Sequence, residues 1–259
     1  MRTHRSRQRG LSLPELLLVL ALFSVVSLLL FSLLNDGFRR WRTANARFDV
    51  QNRLMKSMNW LRQDLEKASA TQIGHKRVSN GAGHGDALWF LSAEDPSVAD
   101  PQLRFVRDSA TGAPRWQRQI LYYLARPTNY AACSGGIVAA VDPDPRNDYF
   151  APHKFLLRKV INTSADPETQ STSGGIDAFV TFPVDYNLSA LASETSVEAC
   201  RLIADRMLSF EVSLLDRTLE LDLRAVYLQP AEKELAVGSV SLKNTKFTVH
   251  QKLRVVLKQ

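Results

Sequence analysis

Nineteen consecutive residues without a charge, Leu16–Leu34, follow an N-terminal decapeptide that carries four arginines. At 1.5 Å per residue, a helix from Pro14 to Leu34 is about 30 Å long, the thickness of a bilayer's hydrocarbon core. A helix in a soluble core seldom runs so far without a polar face. Only Ser24, Ser27 and Ser32 interrupt the run, and small hydroxyl residues return their hydrogen bonds to the helix or to a neighbour. The segment therefore reads as membrane-embedded. A cleaved secretory signal has a shorter apolar stretch, about 7–15 residues, ending at a small-residue site. Here the run leads instead into Asn35-Asp36-Gly37-Phe38-Arg39-Arg40.

One carboxylate, Glu15, stands at the edge of this segment. A carboxylate at the centre of a membrane helix costs about 2.5–3.5 kcal/mol on insertion scales, so such groups have a partner or a function. Near the helix end the cost is smaller, and Ser12-Leu13-Pro14-Glu15 fits a capping box, with Ser12 as N-cap and Glu15 reaching back to its amide. A negative charge in the first turn suits the helix dipole. Pro14 removes only an amide that has no intrahelical partner there.

Together, the stretch Arg9-Gly10-Leu11-Ser12-Leu13-Pro14-Glu15 and the apolar run behind it resemble the class III leader of type IV prepilins and pseudopilins. The resemblance covers roughly the first 35 residues. It implies that a specialised membrane aspartyl peptidase, the prepilin peptidase, cuts between Gly10 and Leu11. Leu11 then becomes an N-methylated N-terminus and Glu15 the fifth mature residue. Leu at the first mature position and Pro at the fourth depart from the commonest pattern without removing a group the processing chemistry needs. The resemblance further implies that Glu15 meets the N-terminal amine of a neighbouring subunit and so sets the axial register of assembly. Low dielectric around packed apolar helices strengthens that attraction. A carboxylate offers two oxygens and about four lone-pair sites, so capping and register setting are compatible.

Charge leaves orientation open. Arg2, Arg5, Arg7 and Arg9 precede the span, and Arg39, Arg40, Arg42 and Arg47 follow it, so the positive-inside rule is nearly tied. The resemblance places the leader in the cytoplasm and the remainder in the periplasm of a bacterial inner-membrane protein. The formal charge of +7 drops to about +3 once the leader's four arginines are removed. That is too diffuse for a nucleic-acid surface.

Helical character extends past the span. Between Leu11 and Gly74 the only glycine is Gly37 and the only proline is Pro14, so one rod with a possible flexure at Gly37 is expected. Phe38, Trp41, Phe48, Met55, Met58, Leu61 and Leu65 recur at helical steps, a stripe expected to pack against the rest of the protein. Short strands are then expected over Ala87–Leu91, Gln119–Ala125, Phe155–Ile161, Met207–Leu215, Leu219–Leu228 and Phe247–Leu257. Glu194–Arg206 reads as a short helix, and Asp216-Arg217-Thr218 as a hairpin connection. Gly74–Asp86, Pro127–Pro152 and Asn162–Gly175 read as loops. The expected organisation is a leader (1–10), a membrane half-helix (11–35), an amphipathic second half (36–72) and a β-rich head (73–259). The fold class is α+β and pilin-like, a long N-terminal helix packed on an antiparallel sheet.

The run Trp116–Leu124, followed by Phe155–Val160, looks like the corresponding part of the larger minor pseudopilins, the J-type subunit of type II secretion. This favours a minor, tip-proximal subunit. Cys133 and Cys200 both follow the membrane segment. In an oxidising compartment a bridge between them would be worth about 4 kcal/mol in the chain-entropy model, and two free thiols are the alternative. Asp142, Asp144 and Asp148 supply oxygen ligands that calcium accepts, yet their loop lacks EF-hand spacing, and a solvated turn is the stronger reading. His75 and His84, near Asp86, lack the pattern of a zinc site, and no G-x-S-x-G, P-loop or dinucleotide fingerprint occurs.

No metal, cofactor or catalytic role is expected. The expected function is that of a minor pseudopilin supporting type II protein secretion. Its partners would be the prepilin peptidase, other pilins or pseudopilins, membrane lipid and an assembly platform. Two alternatives stand beside it: a minor type IV pilin for pilus assembly, motility or DNA uptake, and a single-span membrane protein whose periplasmic head is a sensor or an enzyme.

Overall fold

The computed structural model describes residues 12–78, 85–95, 98, 104–128, 154–181, 184, 187–227 and 248–257. Helix α1 spans Leu13–Leu65. Seven strands follow: β1 (Ile73–Val78), β2 (Gly85–Ser92), β3 (Arg118–Ala125), β4 (Lys154–Ile161), β5 (Val197–Leu215), β6 (Thr218–Val226) and β7 (Thr248–Val256). They form one antiparallel sheet in sequence order, an uninterrupted meander. The architecture is α+β, with helix packed on sheet. The chain divides into two compact units, residues 1–45 and 46–259.

In the second unit, the helix buries Val50, Leu54, Ser57, Leu61, Asp64 and Leu65, a stripe at alternating steps of about three and four. It packs on Leu88 and Phe90 of β2, Ile120, Tyr122 and Leu124 of β3, and the inward residues of β5 and β6. This corrects the expected stripe. Leu61 and Leu65 are buried, but Phe48 and Met55 are exposed, as are Phe38 and Trp41 of the first unit. Two seven-residue patterns share the helix, and the aliphatic one is the one buried against the sheet. The helix also stops at Leu65, short of residue 72, and a 3-10 turn at Ala70–Gln72 leads into β1.

Strands β2, β3 and β4 are apolar on both faces because both faces are covered. Ala87, Trp89, Leu121, Tyr123, Phe155 and Leu157 point away from the helix and pack beneath Ile176, Val180, Val184 and Leu191. Hence their sequences read as continuous apolar runs rather than alternations. In β6, Leu219, Leu221 and Leu223 face the helix-side core while Glu220, Asp222 and Arg224 face the other way. The Asp216-Arg217 turn closes the β5–β6 hairpin as expected, with Asp216 at φ 53°.

Two expectations fail here. Residues 194–206 are not a helix: Val197–Arg206 belongs to β5 and pairs with β4 through Leu202↔Leu157, Cys200↔Lys159 and Val197↔Ile161. Pairing with a doubly buried neighbour outweighs a local helical pattern. Near Arg206, at φ 58°, the strand leaves β4 and pairs with β6. Residues Gly74–Val78 and Gly85–Asp86 are strand, not loop. Gly74 has a specific reason to be glycine, since a Cβ there would overlap the Trp89 indole directly across the ladder. Trp89 is buried and its Nε1–H donates to the Ser171 carbonyl at 3.0 Å, so the ring has no room to retreat.

The end of the helix is held by a buried polar cluster. Asp64 accepts from the Tyr122 hydroxyl at 2.6 Å and from Arg158 Nε at 2.6 Å. The guanidinium groups of Arg158, at 5.8 Å, and Arg201, at 5.7 Å, both lie over the Trp60 ring. Burial and the adjacent Asp64 carboxylate push the Tyr122 phenol up, so it donates across the physiological range. Burial works against the Arg158 cation, but its bonds to Asp64 outweigh that and raise its pKa. Asp64→Ala leaves that buried cation without its carboxylate and is expected to cost about 3–5 kcal/mol. Tyr122→Phe is expected to cost about 2 kcal/mol, and the two losses to be less than additive. Denaturant unfolding of the full chain in detergent, followed by tryptophan fluorescence, measures both. Gly74→Ala is expected to lose about 1–3 kcal/mol in the same assay, and Gly74→Ala with Trp89→Leu to lose less than the sum of the two single changes.

Candidate functional site

The residues that carry the N-terminal signal open helix α1. Ser12 is the last residue before the helix, and Leu16 N–H donates to the Ser12 carbonyl at 3.1 Å, the first intrahelical bond. Glu15 reaches back exactly as a capping glutamate should: its Oε2 accepts from the Ser12 amide at 2.8 Å and from the Ser12 hydroxyl at 2.9 Å. Both bonds fall on one oxygen. Glu15 Oε1 has no hydrogen-bond partner among the described residues. Capping thus leaves one carboxylate oxygen available. Gly10 and Leu11, the expected cleavage and methylation positions, lie outside the described residues.

Beyond Glu15 the helix presents apolar side chains on every face. Leu16, at 49% exposure, is the most covered large apolar residue of Leu16–Leu34, and Phe31 reaches 71%. Ser24 returns its hydroxyl to the Leu20 carbonyl at 2.8 Å, which removes the one polar demand it would make on lipid. This is the one helix among the described residues long and apolar enough to cross a membrane.

Of the remaining candidate residues, only Cys200, His75 and Asp86 fall among the described residues. Cys133 and the loop with Asp142, Asp144 and Asp148 lie outside the described residues. Cys200 carries a free thiol, half-buried on β5 opposite Lys159. His75 sits on β1 and Asp86 on β2, and His84 is outside the described residues. Among the described residues no group of three or more His, Cys, Asp or Glu is placed to hold a metal ion. A cleft of about 310 Å³ between Arg77, Asp86, Glu211, Glu220, Asp222 and Lys252 mixes opposite charges. Its carboxylates are occupied: Asp86 Oδ2 accepts from the Val212 amide at 2.6 Å, and Glu220 accepts from Lys252 and Arg254, each at 2.8 Å.

The Asp64–Arg158–Tyr122 cluster and the buried Lys159, bonded to Glu194 at 2.6 Å, escaped sequence reasoning. The available signal was two adjacent cations inside the apolar strand Phe155–Ile161 and one aspartate on the apolar face of the helix. Charges in such places have partners.

Compared with known proteins, residues 5–31 match the family described as the prokaryotic N-terminal methylation motif. No curated protein and no solved structure matches the chain. The chain therefore carries a prepilin-type N-terminus followed by a long apolar helix and an antiparallel sheet, which is consistent with a pilin-like protein. The motif implies processing by a prepilin peptidase and pilin-type assembly, and the apolar helix fits the single-pass anchor of such proteins.

Burial pushes the Cys200 thiol up to about 11, against the opposing influence of Lys159. At pH 8 roughly one molecule in a thousand is then thiolate, so in a Cys133→Ser chain Cys200 is expected to alkylate about 100-fold more slowly than a thiol of ordinary pKa. The iodoacetamide rate should still climb about tenfold per unit between pH 8 and 10, where an ordinary thiol levels off.

Proposed function

We propose that this protein is a minor, tip-proximal pseudopilin: a peptidase-processed, membrane-anchored subunit that assembles into a periplasmic pseudopilus supporting type II secretion. The observation that carries the reading is the methylation motif over residues 5–31, continuous with a helix whose apolar half the chain itself leaves uncovered. In this reading the leader is cytoplasmic and the head periplasmic. Cleavage after Gly10 frees an amine on Leu11, and that amine approaches Glu15 of the adjoining subunit. The free Oε1 receives it while Oε2 keeps the helix start capped. The attraction acts among packed apolar helices, where water screens it least. The precursor, with a peptide bond in place of that amine, remains a stored membrane protein.

The protein acts mechanically, as substrate of an enzyme rather than as one. The resemblance of Trp116–Leu124 and Phe155–Val160 to the larger minor pseudopilins favours a minor subunit that presents surface to neighbours or cargo over a repeating one. The same motif also serves a minor type IV pilin. Loss of secretion with pili intact supports the pseudopilus, and the reverse phenotype supports the pilus.

Co-expression with a prepilin peptidase is expected to yield a chain beginning at methylated Leu11 by intact-mass analysis, and Gly10→Val to leave the leader attached. Glu15→Gln is expected to be processed normally yet to enter filaments at least tenfold less, measured by shearing and immunoblotting. A protein that stays uncleaved while fully active would eliminate the pseudopilin reading and leave a single-span anchor in which Glu15 only caps a helix.

A further inference from the structure

The helix segment just past the apolar run combines free cations with exposed aromatics. Arg39, Arg40 and Arg42 are exposed and form no ion pair among the described residues. Several arginines of the second unit are paired instead: Arg53 with Asp49, Arg62 with Glu66, Arg118 with Glu198, Arg158 with Asp64 and Arg254 with Glu220. Between Leu34 and Asn45 the one carboxylate is Asp36, so the segment keeps a net positive charge. At about 100° per residue the three guanidinium groups share an arc of about 160°, and Phe38 and Trp41 take the other side. Trp41 is 61% exposed and Phe38 59% exposed.

Depth identifies the partner. If Leu34 marks the end of the hydrocarbon layer, Arg39 to Arg42 lie about 7–12 Å further along the axis at 1.5 Å per residue. The headgroup layer on each side is about 5–8 Å thick, and an arginine's stem lets its guanidinium reach back into it. Phosphodiester oxygens are there, and a guanidinium binds them bidentately. Tryptophan's amphipathic ring settles at the same level.

We infer that Arg39, Arg40 and Arg42, with Trp41, form a binding site for anionic phospholipid headgroups on the side of the bilayer that faces the head. The site selects anionic over zwitterionic lipid by net charge, because a phosphocholine's ammonium offsets its phosphate. The inference rests on membrane insertion of residues 16–34 and is independent of filament assembly. An acidic patch on another protein would satisfy the same arginines, and the test separates the two.

The full chain is reconstituted in phosphatidylcholine liposomes containing 30% phosphatidylglycerol, with the bromine quencher carried on the acyl chains of one lipid or the other. Subtracting the signal of a Trp41→Phe variant isolates Trp41 from Trp60, Trp89 and Trp116. Brominated phosphatidylglycerol is expected to quench Trp41 at least twofold more, per mole present, than brominated phosphatidylcholine. Arg39→Gln with Arg40→Gln and Arg42→Gln should bring that ratio to one, and 0.5 M salt should lower it. Equal quenching by both lipids in the unmodified chain, or a preference that the triple variant retains, overturns the site. So does absence of quenching by either. Alkaline carbonate extraction reads insertion separately: a chain that leaves the membrane defeats the span itself, whereas a retained chain without lipid preference defeats only the site.

Discussion

Apolar surface that a chain does not cover for itself must be covered by something else. Leu16–Leu34 carries large aliphatic and aromatic groups on every side of helix α1 and buries none of them within the protein. At about 25 cal/mol per Å², exposing such a helix to water would cost more than a typical domain's whole stability. It therefore exists in lipid or against other apolar helices. A membrane-stored precursor and an assembled filament are two such surroundings, and a single apolar segment serves both because neither demands a polar face.

The second unit solves a different problem with the same helix. Beyond Ala46 the helix has a sheet to pack on, and it becomes amphipathic in the ordinary sense. The Asp64 cluster ties the end of that packed stretch to β3 and β4. A carboxylate, a phenol and a guanidinium buried together tolerate one arrangement, because shifting the helix by a turn would strand each of them without a partner. Arg53 pairs with Asp205 near the other end of this packed stretch and acts in the same direction. Its partly exposed position makes it the weaker of the two.

Much of this was readable from residues. The span, the cap and the processing signature are local: a run of apolar residues, a serine and glutamate three positions apart, a glycine after arginines. Strand β6 was equally clear, since one of its faces is apolar and the other charged. Strands β2 to β4 were located without their second covering layer, because a continuous apolar run says that both faces are buried and nothing about what buries them. The misread residues 197–206 look helical alone, and β4 draws them into the sheet through cross-strand contacts with residues some forty positions earlier.

The sequence by itself determined that this chain has a membrane-compatible N-terminal helix whose start is capped by Glu15, and that a β-rich segment follows. Those properties depend on side chains within one or two helical turns, or on alternation within one strand. Only the tertiary structure decided which stripe of the helix is buried, that β5 serves two partners in succession, and that Asp64, Tyr122, Arg158 and Trp60 meet. Each of these turns on the spatial juxtaposition of residues tens to more than 150 positions apart, where desolvation and shape outweigh every local preference.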